Sequence, residues 1–200
     1  HMSIIEISHR SKQFQTIVTD AENKLRQLMH ISDEYAVVFL QGGGSTQFEM
    51  IPLNFATNHH EIALLDSGNF AQKAAEAARE LGNKVTTLNS TKNIHYQTLP
   101  LLPDDFDPMT YDYLHIVTNN TIEGVTSHQN NLPKTTGRLV ADMSSNILAE
   151  PYNISDFDAI FAGGQKNLGQ AGVTVAIIKK SWLAEQDLTG VVPMMRYQNH

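Results

Sequence analysis

The chain of 200 residues contains no cysteine. That absence excludes a disulfide framework, a thiolate zinc centre and a cysteine nucleophile together, and it fits a protein of the reducing cytoplasm. No apolar run approaches the roughly eighteen residues that a membrane-spanning helix needs, so no membrane partner is expected. The first residues, His1-Met2-Ser3-Ile4-Ile5-Glu6, lack the basic stretch and apolar core of a secretory leader. Positive charge is scarce: 14 Lys and Arg against 21 Asp and Glu give a net charge of −7. A broad nucleic-acid footprint is thereby disfavoured, which leaves small anions held locally. Nine histidines are present, but only His59 and His60 are adjacent and none has the spacing of a metal centre, so no metal is expected.

What remains is a globular composition, 41% hydrophobic and 18% charged, long enough for one large domain or two small ones. Phe14, Ile17, Val18, Ala21, Leu25, Leu28 and Met29 recur at helical spacing and predict a long amphipathic helix over 11–30, capped by Ser8 or Ser11. Ala36-Val37-Val38-Phe39-Leu40 reads as a buried strand running into Gln41-Gly42-Gly43-Gly44-Ser45-Thr46, a glycine-rich turn in which Ser45 caps the next helix. Pro52 should limit or kink that helix. A strand over 62–66, a turn over 67–70, an alanine-rich helix over 71–81 ended by Gly82, and a strand over 84–88 follow. The proline-punctuated section 89–111 reads as surface connection.

Further strands are expected over 113–118, 138–143 and 159–162, and helices interleaved with such short apolar strands indicate an α/β sheet covered on both faces. The loop 163–172 between the strands 159–162 and 173–178 is too short for a crossover helix, so these two should be antiparallel neighbours. The end of the chain, 195–200, is polar and shows no closing helix or strand pattern.

Ligands of open α/β sheets sit beyond the carboxyl ends of the strands. There the sequence places Gly42-Gly43-Gly44-Ser45, Asp66-Ser67-Gly68-Asn69-Phe70, Asn119-Asn120-Thr121, Asp142 and Lys166. The glycines let backbone N–H groups and a helix N-terminus approach an anion, although a strand-to-helix turn uses such glycines without any ligand too. The turn matches neither G-x-G-x-x-G nor a P-loop, which argues against dinucleotides and nucleoside triphosphates. Taken singly, Asp142 is an ordinary turn former, Lys166 an ordinary solvated lysine, and Phe70 an ordinary core residue. Taken together they suit pyridoxal phosphate: an amine for an aldehyde, a carboxylate for a pyridine nitrogen, an aromatic face for the ring, and Thr121 and Gln165 as hydrogen-bonding groups. His9-Arg10 forms a further anion-binding candidate or, equally, an exposed pair beside a helix cap.

Seven stretches carry a resemblance through nearly the whole chain. They are Ser8-His9-Arg10, Phe39-Leu40-Gln41-Gly42-Gly43-Gly44, Gln47-Phe48, Asn119-Asn120-Thr121-Ile122-Glu123-Gly124, Ala141-Asp142-Met143-Ser144-Ser145, Ala162-Gly163-Gly164-Gln165-Lys166-Asn167-Leu168-Gly169 and Ala171-Gly172-Val173-Thr174-Val175. In these the sequence resembles the phosphoserine aminotransferase family, fold-type I enzymes of the class V aminotransferase group that depend on pyridoxal 5′-phosphate.

The resemblance implies Lys166 as the Schiff-base lysine and Asp142 as the partner of the pyridine nitrogen. It implies Gly44 and Ser45 at the cofactor phosphate, Thr121 and Gln165 in contact with the cofactor, Phe70 stacked on its ring, and His9 and Arg10 on the anionic substrate in a site shared across a homodimer. The implied substrates are phosphoserine, 2-oxoglutarate and glutamate, in L-serine and pyridoxine biosynthesis. Many relatives carry tryptophan where this chain has Phe70, and some carry arginine where it has Ser45. The resemblance also implies that residues 1–200 are an incomplete large domain, lacking a short N-terminal segment and a C-terminal small domain. Another class V transaminase or lyase, or a non-catalytic fragment, remains the alternative at this point.

Overall fold

The computed structural model describes residues 3–200; His1 and Met2, where the absence of a leader is first read, lie outside the described residues. Ser11 opens the first helix, α1 (Lys12–Met29), its Oγ accepting the Phe14 N–H at 3.2 Å. Only Leu25 and Met29 of its apolar stripe are buried, while Ile17 and Leu28 stay exposed. The amphipathic pattern therefore forms a helix whose N-terminal half is only partly covered among the described residues, with Phe14 and Val18 half-buried and Ile17 exposed.

The remaining elements are β1 (Tyr35–Leu40), α2 (Gly43–Phe55), β2 (Glu61–Asp66), α3 (Asn69–Glu80), β3 (Lys84–Ser90), β4 (Tyr113–Val117), β5 (Asn119–Asn120), β6 (Val125–Thr126), β7 (Leu139–Asp142), β8 (Ala159–Gly163), β9 (Thr174–Lys179) and α4 (Lys180–Ala184). Seven strands form one sheet in the order β1-β9-β8-β7-β4-β2-β3, and β5 and β6 form a separate antiparallel pair. Within the large sheet β9 runs against both of its neighbours, and the other pairings are parallel. The α/β sheet expected from the sequence is thus mixed and mostly parallel, and the antiparallel pair expected around the Lys166 loop is present.

The inner strands are covered on both faces, so alternate side chains enter different cores, while the edge strands β1 and β3 stay largely half-buried or exposed. In β8 and β9, Ile160, Ala162, Val175 and Ile177 pack with Leu25 and Met29 of α1, whereas Ala159, Phe161, Ala176 and Ile178 pack with Phe48, Ile51 and Phe55 of α2. Burial on both sides explains why these strands read as continuous apolar runs.

Several local expectations are corrected. Ser45 does not cap α2: the helix starts at Gly43, and Gly42, at φ +97°, is the cap residue and offers no side chain. A glycine meets that backbone conformation without the Cβ clash a serine would suffer. Pro52 lies inside α2 without ending it, and the helix reaches Phe55. The third helix begins at Asn69 rather than at 71, which moves Phe70 from a turn into a helical first turn. Residues 119–126, where no strand is expected from the sequence, form the β5–β6 hairpin. The polar C-terminus is no free tail, since Tyr197 is 1% exposed and packs beside Phe55.

Candidate active site

Five strand ends converge at one edge of the sheet. β1 delivers Gly43, Gly44 and Ser45 in the first turn of α2, β2 delivers Ser67 and the start of α3, and β4 leads into the β5–β6 hairpin. β7 ends on Asp142, and β8 leads into the loop that carries Gln165 and Lys166. A cleft of about 80 Å³ opens there, lined by Gly44, Ser45, Phe70, Asp142, Gln165 and Lys166, with Phe48, Val117, Asn119, Ser144 and Ser145 filling its wall. Three larger hollows lie elsewhere, and none of them is lined by Gly44, Ser45, Phe70, Asp142, Gln165 or Lys166.

The amine of Lys166 is held from two sides. Its Nζ donates to Thr121 Oγ1 at 2.9 Å and stands 4.8 Å from the centroid of the Phe70 ring. Ammonium over an aromatic face is attracted by the ring quadrupole, and a hydroxyl oxygen is an ordinary acceptor for it. Phe70 also receives Lys73 at 5.6 Å, from the next turn of α3. Lys166 itself is exposed, so its position rests on these contacts and on the loop.

Asp142 is 5% exposed at the end of β7. Burial pushes its carboxyl above the usual carboxylate range, and the hydrogen bonds from Ser144 and the charge of Lys166 pull it back in part. Its Oδ1 accepts the Ser144 N–H at 2.9 Å. Such a carboxylate has little water to share its charge with and favours a cation placed against it.

At the phosphate-sized end of the cleft, a Cβ on Gly44 would come within 3.2 Å of Ser144 Oγ. Ser144 Oγ in turn accepts the Gly163 N–H at 3.0 Å. Ser144 thus ties the end of β7 to the end of β8 and packs closely against Gly44 at the start of α2, where a side chain would have to displace it. The first turn of a helix leaves N–H groups without intrahelical partners and carries the positive end of the dipole, and Gly44 and Ser45 of that turn of α2 line this space. Asn119 stood among the groups expected beyond the strand ends, whereas Ser144 and Ser145 were not singled out for a role by residue type; their signal was positional, because they follow Asp142 within two to three residues.

Not every candidate is brought in. His9 and Arg10 are exposed on the segment before α1 and do not line the cleft; the Arg10 backbone N–H contacts Ser8 Oγ at 3.3 Å. Thr121 reaches the cleft through Lys166 rather than as a wall residue. Among the described residues, no cluster of side chains suits a metal ion and no helix is long and apolar enough to cross a membrane.

Against known proteins, the pattern of the family described as Aminotransferase class-V matches residues 2–191. A phosphoserine aminotransferase of Leuconostoc mesenteroides subsp. mesenteroides is 67% identical over 200 residues, covering 100% of this chain and 55% of that protein. The solved phosphoserine aminotransferase of Bacillus circulans subsp. alkalophilus superposes with a TM-score of 0.88 at 35% identity, covering 99% of this chain and 54% of the other. The pyridoxal phosphate-bound enzyme of Trichomonas vaginalis gives 0.86 at 31% identity, with 99% and 55% covered. The chain spans about half the length of the curated relatives it matches. The sheet and its flanking helices are those of the large domain of fold-type I aminotransferases. With the strand order, the cleft and the family pattern in agreement over nearly every residue, the chain belongs to the class-V aminotransferases.

Proposed function

We propose that the protein containing this chain transfers an amino group between O-phospho-L-serine and 2-oxoglutarate, giving 3-phosphohydroxypyruvate and L-glutamate, with pyridoxal 5′-phosphate as cofactor. The observation that carries this reading is the 67% identity, over all 200 residues, to a protein named for that activity. Residues 1–200 are read as its cofactor-binding large domain. Its place is L-serine biosynthesis in the cytoplasm, in keeping with the absence of cysteine.

The residues present fit the cofactor. Lys166 offers the amine for its aldehyde, Asp142 the buried carboxylate for its pyridine nitrogen, and Phe70 a face for its ring. The Gly44–Ser45 turn offers N–H donors for its phosphate, and Gln165 and Thr121 supply polar contacts at the rim. The bound cofactor supplies an electron sink that makes the substrate's Cα proton removable.

The chain's own groups do the rest. The Lys166 amine takes the proton from the substrate's Cα and holds it as an ammonium, a form that the Thr121 oxygen and the Phe70 ring both favour. Asp142 keeps a proton on the pyridine nitrogen, because its buried charge is best neutralised by a cation. Phe48 and Val117 wall off water from the inner end of the cleft.

Arg10 and His9 are read as the binding groups for the substrate's anionic ends. Their place outside the cleft of their own chain suits a homodimer in which they reach the neighbouring site. The half-uncovered apolar stripe of α1 supports the same arrangement.

The test is turnover of phosphoserine with 2-oxoglutarate by the full-length protein, together with borohydride reduction and peptide mapping. Glutamate formation and a label on Lys166 are expected. A label on another lysine, or activity toward serine equal to that toward phosphoserine, overturns the assignment.

A further inference from the structure

Gly68 precedes α3 at φ +153° and ψ −168°, a backbone state nearly restricted to glycine. A Cβ there would lie 2.5 Å from Glu123 Cδ, so the carboxylate of Glu123 occupies the space that a side chain would fill. Glu123 Oε1 accepts the Asn69 N–H at 2.8 Å. The N-terminus of α3 has no capping side chain of its own, and Glu123 supplies the cap from a segment 54 positions away in sequence. An anion at this end is favoured by the helix dipole, and a charge-assisted bond is stronger than a neutral one. Glu123 Oε2 is buried without a partner among the described residues, so holding the carboxylate here has a desolvation cost that a surface contact would avoid.

Glu123 belongs to the turn of the β5–β6 hairpin, two residues from Thr121, and Asn69 directly precedes Phe70. The two groups that flank the Lys166 amine therefore sit on two separate elements, and Glu123 ties those elements together. A second tie joins the same pieces, where Ser67 Oγ meets Asn120 Nδ2 at 3.1 Å.

We propose that Glu123 is a positioning residue, fixing the gap between Thr121 Oγ1 and the Phe70 ring in which the Lys166 amine works. This rests on the reading of Lys166 given above. Among the described residues Glu123 neither lines the cleft nor bonds to that amine, and it acts through Asn69 and Gly68.

The experiment compares E123A and E123Q with wild type in the full-length protein, by amide exchange at Asn69, by the rate of borohydride-trapped pyridoxal phosphate at Lys166, and by kcat and KM. In E123A the Asn69 amide exchanges about tenfold faster or more. Trapping and kcat fall on the order of tenfold, with KM for phosphoserine changed by less than about twofold. E123Q, which keeps an acceptor for Asn69, recovers both to within about threefold of wild type. Should E123A fail to fold, E123D, shorter by one methylene, carries the same comparison.

Faster Asn69 exchange with unchanged trapping and kcat would make Glu123 a helix cap only and overturn the proposal, as would an E123Q protein no better than E123A. A wild-type protein that traps no cofactor at Lys166 overturns the site assignment instead, which separates the two failures.

Discussion

The phenol of Tyr197 donates to Gln47 Oε1 at 2.5 Å, and both residues are fully enclosed beneath α2. The Tyr197 N–H also binds Asn54 Oδ1 at 3.1 Å, and Asn54 Nδ2 donates to the Met195 carbonyl at 2.7 Å. The last residues of the chain thus brace the helix whose first turn lines the cleft. Tyr197→Phe leaves a buried amide oxygen unpaired and is expected to cost about 1–3 kcal/mol. Tyr197→Ala, which also opens a cavity beside Phe55, is expected to cost about 3–5 kcal/mol. Urea unfolding of both variants measures the difference.

Asp142 carries the electrostatic part of the proposed reaction. In the full-length protein, Asp142→Asn and Asp142→Ala are both expected to lower kcat about a hundredfold or more. The asparagine retains an acceptor for the Ser144 N–H, so it separates loss of charge from loss of the loop contact. Steady-state kinetics with a parallel cofactor titration checks this, and near-normal turnover in Asp142→Asn would remove the proposed role.

His115 lies in the middle of β4, 4% exposed, with Nε2 unpartnered among the described residues and its ring tilted against Phe161 at 6.2 Å. Burial pushes its pKa down to about 4 from an ordinary 6.5. The unfolded chain therefore binds the His115 proton first, so the stability from keeping this ring neutral is fully present above pH 6.5. It is lost as the pH falls from 6.5 to about 4, amounting to about 3 kcal/mol. His115→Leu is expected to flatten the stability profile in that window. Denaturant unfolding of both proteins between pH 7 and pH 4 reads the difference directly, with other titrating groups common to the two.

Gly68→Ala meets both a forbidden backbone state and the Glu123 carboxylate. It is expected to destabilise by about 1–3 kcal/mol from strain, with the collision added. The double variant with Glu123→Ala is expected to lose less than the sum of the two single changes, since one partner in the collision is gone. A thermal-unfolding cycle over the four proteins provides the measurement.

Legibility in the sequence followed range. The buried strands over 62–66, 113–118 and 159–162 announced themselves because a strand covered on both faces must be apolar at every position, whereas the equally apolar run over 36–40 is an edge strand in which only Val38 is buried. The short loop around Lys166 announced an antiparallel pair because ten residues leave no room for a crossover helix. Residue type and position at strand ends likewise grouped Gly44, Phe70, Asp142 and Lys166. The cap of α2 was misassigned to Ser45, since a preference for serine at helix starts gave way to the left-handed turn at Gly42. Phe70 was placed in a turn because no local cap announces α3; its cap comes from Glu123 in the hairpin.

By itself, then, the sequence determined the class of the sheet, the direction of its strands around Lys166, and the kinds of chemical group available at its edge. Those properties depend on hydrophobic period, loop length and residue type, all of which are local. Only the tertiary structure decided that Thr121 and Phe70 grip the same amine, that Glu123 ties their elements together, that Tyr197 closes beneath α2, and that His9 and Arg10 stay outside the cleft of their own chain. These depend on distances between residues tens of positions apart, which the packing of two cores on one sheet fixes and no local pattern encodes.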